Sequence, residues 1–137
     1  MNLSDKGLDL LTIREGKRNK AYKDVKGIWT IGVGHTGPEV VEGLVWDDAT
    51  IKQVLKQDCS IAEKAIKTYV FTPLTQNQFD ALVSFIFNVG VNAFRRSTLC
   101  AKLNMRDFVG AAEQFDRWHI PAAIIGRRDS EKAQFSS

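Results

Sequence analysis

The sequence predicts an α+β fold, mostly α, with a small β lobe near the N-terminus and a larger helical lobe. A change in hydrophobic period carries this reading. Helical spacing holds over residues 3–15, gives way to strand-forming residues between Lys17 and Val33, and returns from Asp47 onward. The β lobe spans approximately 17–46, a long helix approximately 47–69 joins the lobes, and the helical lobe spans approximately 70–137, together with helix 3–15. With 137 residues, 44% hydrophobic and 26% charged, the chain is sized for one domain of two lobes and is neither disordered nor fibrous.

The first helix has Ser4 as cap, Leu8 and Leu11 facing a core, and Gly16 as stop. In AYKDVKGIWTIGVGH the β-formers Tyr22, Ile28, Trp29, Thr30 and Ile31 flank the turn-like Asp24–Gly27, which reads as a small antiparallel sheet. Asp47 or Asp48 caps the next helix. Its stripe is Ile51, Leu55, Asp58, Ala62, Ala65 and Tyr69, in which Asp58 is a carboxylate in an otherwise apolar row. Such a group needs a partner, unless the helix is rotated enough to leave it solvated. Thr75-x-x-Gln78 forms a capping box with Leu74 and Phe79 as the staple, and the following FDALVSFIFNVG is apolar on nearly every side, as a central buried helix requires. A short helix follows Ser97, another starts at Asp107, and a last one runs from near Arg127 to Phe135.

Several classes are excluded. No apolar run approaches the roughly 20 residues of a membrane span, and MNLSDKGLDLL lacks the basic start and apolar stretch of a secretory signal. Cys59 and Cys100 belong to no CxxC, and His35 and His119 are far apart, so the expectation is free thiols, no disulfide and no structural zinc. Gly32-x-Gly34 lacks the third glycine of a dinucleotide fingerprint, and no cofactor is expected. The net charge of +3 favours polyanionic partners. Its Lys and Arg residues are too scattered for a nucleic-acid interface.

Glu15 lies in the last helical turn, where the negative end of the helix dipole disfavours an anion, so its carboxyl is expected to hold a proton more readily than usual. A protonated carboxyl is what a glycosidic leaving group requires. Taken singly, each candidate also fits a plain role: Glu15 an exposed acid beside a glycine, Asp24 a turn residue bonding its own backbone, Thr30 a strand former.

Their combination is specific. EGKRNKAYKDVKGIWTIGVGHT, residues 15–36, resembles the catalytic signature of phage-type lysozymes, the endolysins of glycoside hydrolase family 24. LTQNQFDALVSFIFNVGVNAF and RSTL, within 74–99, resemble the family's central helix and the cleft segment after it, and GRRDSEKAQF resembles it more weakly. The resemblance implies a lysozyme-like fold with the active-site cleft between the lobes. It also implies a muramidase hydrolysing the β-1,4 bond between N-acetylmuramic acid and N-acetylglucosamine. By position Glu15 matches the general acid, Asp24 the second carboxylate and Thr30 the water-positioning hydroxyl, with inversion at the anomeric carbon. Thr36, Phe87, Asn88 and Ser97 match glycan-approaching positions, although Phe87 also suits a core.

His35 follows the Gly32-x-Gly34 turn, and a His35–Asp58 ion pair is expected to link the lobes beside the cleft and raise the histidine pKa. The alternative is an imidazole bonded to backbone. Arg127 or Arg128 matches a terminal arginine that reaches back to orient Glu15; otherwise both are solvated surface charges. HIPAAIIG, between Trp118 and Arg127, is shorter than the family's usual segment, which bears on glycan-length preference. The implied substrate is bacterial peptidoglycan, and the implied setting is a monomer held in the host cytoplasm until a holin lesion admits it to the periplasm. A lytic transglycosylase, which would leave 1,6-anhydro ends, and a non-catalytic wall-binding domain are the competing readings.

Overall fold

Asp80, a buried carboxylate in the middle of the chain, shapes its beginning. In the computed structural model, which describes residues 1–119 and 124–137, Asp80 is 1% exposed. Ser4 caps the first helix, α1 (Asp5–Glu15), through the Gly7 N–H to its Oγ at 3.0 Å. That same hydroxyl donates to Asp80 Oδ2. Asp80 Oδ1 accepts from the Ser4 N–H at 3.1 Å and from Gln76 Nε2 at 2.7 Å. The cap expected at Ser4 is therefore itself held by a long-range carboxylate, an arrangement affordable in the interior only because several donors converge on it. Gly7 is needed for the approach: a Cβ there would stand 2.5 Å from Asp80 Cγ.

Residues 8–58 form one compact unit, and residues 1–7 with 59–137 form the other. The first unit holds the remainder of α1, the strands β1 (Arg18–Lys23), β2 (Trp29–Gly32) and β3 (His35–Thr36), and α2 (Asp48–Asp58). The sheet is antiparallel in the order β1-β2-β3. One face carries a small core of Ala21, Ile31 and Val40, with Trp29, Leu44 and Trp46 packed against it. Leu8 and Leu11 are buried on α1, so Leu8–Glu15 goes with the sheet, whereas the sequence grouped the whole helix with the helical lobe.

The second unit is built around α4 (Gln76–Val89), where Phe79–Ile86 is buried at every position. The expected capping box is present, with Gln78 N–H to Thr75 Oγ1 at 3.1 Å and Thr75 N–H to Gln78 Oε1 at 2.9 Å. Around α4 lie α3 (Ser60–Tyr69), α5 (Val91–Arg95), α6 (Thr98–Asn104), α7 (Phe108–Gln114), a 3-10 turn (Phe115–Trp118) and α8 (Ile125–Phe135). Phe85 meets the rings of Phe115 and Trp118 edge-on at 5.4 and 5.3 Å.

Two boundaries differ from expectation. The single helix read over 47–69 is two, α2 and α3, divided at Cys59. Its ψ of −13° is flatter than the roughly −42° of an α-helix, and the ladder is interrupted there. The last helix starts at Ile125, two residues before the expected arginine. Residues 120–123, within the short segment tied to glycan-length preference, lie outside the described residues.

Asp80→Ala would leave Ser4 and Gln76 donors without their acceptor and is expected to cost about 1–3 kcal/mol. Ser4→Ala, which loses the cap and the hydroxyl's bond to Asp80, should cost about 1–3 kcal/mol. Urea denaturation of the two variants measures both.

Candidate active site

The β1–β2 hairpin is a three-residue loop closed by its own polar groups. Tyr22 pairs with Thr30 and Lys23 with Trp29, which sets Asp24 opposite Ile28. Asp24 N–H donates to the Ile28 carbonyl at 2.9 Å, and Gly27 N–H to the Asp24 carbonyl at 2.9 Å. Gly27 has φ +79°, the left-handed conformation that ends such a loop. Asp24 Oδ1 then accepts from the N–H of Lys26 at 2.8 Å and of Ile28 at 2.9 Å. The turn role open to Asp24 in the sequence is thus real, and it consumes one carboxylate oxygen; Oδ2 takes no hydrogen bond among the described residues.

Thr30 is 4% exposed, and its hydroxyl donates to the Ile28 carbonyl at 2.9 Å. With its proton committed, Oγ1 can only accept further bonds. Side chains alternate along a strand, so Tyr22, Asp24 and Thr30 share one face of the hairpin, opposite the Ala21–Ile31 core. Thr36, an exposed residue paired directly across from Thr30, joins that face.

Glu15 is the last residue of α1. It is half-buried and continues the row begun by Leu8 and Leu11, seven and four residues upstream of it in helical register. Beyond it, Gly16 N–H closes onto the Thr12 carbonyl at 2.8 Å. All three candidates thus belong to residues 8–58.

His35 faces carboxylates through both ring nitrogens: Nδ1 is 2.8 Å from Asp58 Oδ2 and Nε2 is 2.7 Å from Glu39 Oε1. The Trp46 ring lies 5.5 Å from the imidazole. His35 and Asp58 belong to the same unit, so the pair ties the sheet to α2 within it. Burial opposes charging the ring, but the Glu39 and Asp58 carboxylates together outweigh it and hold His35 above its ordinary value. Glu39 is held below its ordinary value, chiefly by the hydrogen bond from His35. Glu39 was not legible: it follows a Gly-Pro turn, where no helical or strand period links it to His35.

In the helical unit, Ser97 caps α6, donating to the Phe94 carbonyl at 2.6 Å and accepting from Cys100 N–H at 3.0 Å. Phe87 is half-buried, outside the aromatic cluster of Phe85. Asn88 accepts from Arg128 Nη2.

The alternative of solvated arginines does not hold. Arg128 is fully buried, donating to Glu131 Oε1 and to the Trp118 carbonyl, with its guanidinium 5.0 Å from the Phe85 ring centre. Arg127 donates to Glu131 Oε2 at 3.1 Å and to the Ser84 carbonyl at 2.8 Å. Ser84 Oγ adds a 2.6 Å bond to Glu131. The physical reason is Glu131, a buried carboxylate that both guanidinium groups can share. Its spacing of three and four residues from the arginines was a readable signal.

A protein-family model described as phage lysozyme matches residues 12–131. The chain is 41% identical to the endolysin of Salmonella phage P22, over all of this chain and 99% of that protein. A crystal structure of a P22 lysozyme mutant matches with a TM-score of 0.95, again at 41% identity and over 100% and 99% of the two chains. The muramidase domain of SpmX from Asticaccaulis excentricus matches with a TM-score of 0.92 at 36% identity, over 99% of this chain and 98% of that one. The SAR-endolysin of Escherichia phage Mu is 41% identical over 82% of this chain and 68% of that protein. The chain belongs to the phage lysozyme family and is a lysozyme-type glycosidase with the α+β lysozyme-like fold.

The His35 cluster makes stability depend on pH. Because the His35 value is raised, its contribution is complete below the ordinary 6.5 and is lost as pH rises through the folded value. Because the Glu39 value is lowered, its contribution is present above the ordinary 4.5 and is lost as pH falls through the folded value. His35→Asn should therefore cost most stability between those two values, and its deficit should shrink by pH 9. Denaturation curves of both proteins across that range test this.

Proposed function

We propose that the chain hydrolyses the β-1,4 bond between N-acetylmuramic acid and N-acetylglucosamine in bacterial peptidoglycan, with Glu15 as general acid and inversion at the anomeric carbon. The observation that carries this reading is the division of labour at the hairpin. Asp24 Oδ1 is fixed by two backbone N–H groups, which aims the carboxylate and leaves Oδ2 to take a proton. Thr30, its own proton given to Ile28, accepts a hydrogen bond from a water and so turns that water's lone pair toward the sugar.

Glu15 protonates the glycosidic oxygen as the bond to the anomeric carbon breaks. The water held by Asp24 and Thr30 attacks that carbon from the opposite face, and its proton passes to Asp24. Thr36, Phe87, Asn88 and Ser97 are the glycan contacts of this reading. Asn88 and Ser97 approach the glycan with their polar atoms already engaged by Arg128 and by the α6 cap. An Arg127 or Arg128 contribution to orienting Glu15 stays part of the proposal. So does the division into a sheet-bearing and a helical lobe, with the cut placed after Asp58.

The positive net charge draws the enzyme to the anionic wall, so binding weakens as salt rises. We place the monomeric enzyme in the host cytoplasm until a holin lesion admits it to the periplasm; lysis timing with and without a co-expressed holin tests that step.

Glu15→Gln and Asp24→Asn should each slow clearing of chloroform-treated Gram-negative cells by about 10²–10⁴-fold, with unchanged thermal melts. Clearing by Glu15→Gln at the parent rate would remove the acid role. Digests of purified glycan should yield reducing muramic ends formed first as the α-anomer, read by proton NMR. Products with 1,6-anhydro ends would make the enzyme a transglycosylase instead, and β-anomers would make it a retaining one.

A further inference from the structure

Three side chains that the proposed chemistry does not use converge between the 3-10 turn and α8. His119 Nε2 lies 3.9 Å from Asp116 Oδ1 and 3.6 Å from Asp129 Oδ1. The ligand atoms of all three residues fall within 4.8 Å of one another. Nε2 is sheltered from solvent and has no hydrogen-bond partner among the described residues. A nitrogen–oxygen hydrogen bond needs about 2.7–3.2 Å, so neither carboxylate satisfies it. With metal bonds of about 2.0–2.2 Å, tetrahedral ligands stand roughly 3.3–3.6 Å apart; the 3.6 Å separation meets this for neighbours on one small cation, and the 3.9 Å one needs to close by a few tenths of an ångström.

We propose that Asp116, His119 and Asp129 bind a divalent transition-metal cation of the zinc type, with the remaining coordination left to water. One imidazole and two carboxylates suit such borderline ions, whereas calcium and magnesium prefer oxygen alone and copper(I) prefers sulfur. This donor set escapes a search for Cys/His spacing, because two of its members are aspartates and the third lies across a helix boundary.

Lys132 supports the arrangement. Its Nζ is 2.8 Å from Asp116 Oδ2, so it engages the outer oxygen and leaves Oδ1 directed at the imidazole, the way metal-bound carboxylates are commonly held. The same ammonium is held above its ordinary value by its hydrogen bond to Asp116, aided by the charges of Asp116, Glu113 and Asp129. Three carboxylates thus surround one ammonium, and the local excess of negative charge favours a dication. Occupancy would clasp the 3-10 turn to the first turns of α8, the helix that carries Arg127, Arg128 and Glu131.

Cobalt(II) titrated into the full chain provides the test, since its visible d–d absorption reports coordination by nitrogen and oxygen. One equivalent should bind, zinc should displace it, and zinc should raise the melting temperature by mass action. Asp129→Asn and His119→Gln should each weaken binding more than about tenfold, the least expected even for disturbing an outer partner of a metal ligand. Asp129 is largely exposed, its side chain 62% accessible, so its variant keeps the fold and decides the matter should His119→Gln unfold. His35→Asn should leave the band intact. No cobalt band, a band that survives both variants, or one that disappears with His35 instead would overturn the proposal.

Discussion

The backbone of residue Ile28 is the point on which the sheet unit and its proposed chemistry both depend. Its carbonyl accepts from the Asp24 N–H and from the Thr30 hydroxyl, and its N–H donates to the Asp24 carboxylate. One backbone unit therefore closes the hairpin, orients one candidate catalytic group and assigns the hydrogen-bonding role of another. Its own side chain is half-exposed and irrelevant to this. Such an arrangement is stiff because every partner is backbone or a short side chain with few rotamers, and it costs little to order when substrate arrives.

Two ways of handling charge coexist in the molecule. His35, Glu39 and Asp58 form a partly exposed cluster whose strength follows pH and is open to screening by salt. Arg127, Arg128 and Glu131 are instead withdrawn from water, and their charges are matched by a shared carboxylate, two backbone carbonyls and the amide oxygen of Asn88. Losing one member of the second group leaves an unmatched interior charge, a far larger penalty than loosening an exposed pair.

The fold was legible where local chemistry repeats. The capping box at Thr75, the unbroken apolar run of α4 and the turn at Asp24–Gly27 each satisfy themselves within a few residues, so sequence alone exposes them. The pairing of His35 with Asp58 was readable for a different reason: a carboxylate in an apolar stripe demands an explanation. What sequence hid were partners brought in from afar or across irregular backbone. Asp80 reaching Ser4, Glu39 reaching His35, and Asp129 approaching His119 have no periodic signature. The division at Cys59 was hidden too, because its backbone stays helical in φ and only ψ departs. The catalytic trio came from the length of the matched signature, since each residue alone had an ordinary structural use.

One compact unit of this chain is discontinuous: its first seven residues rejoin it only at position 59. Leu3 N–H bonds Glu63 Oε2 at 2.7 Å and Ser4 reaches Asp80, separations of 60 and 76 positions along the chain. During ribosomal synthesis the sheet unit can be complete while these leading residues still lack their acceptors. The helical unit cannot close its N-terminal seam until α4 has left the exit tunnel, which orders the two units in time as the polypeptide emerges.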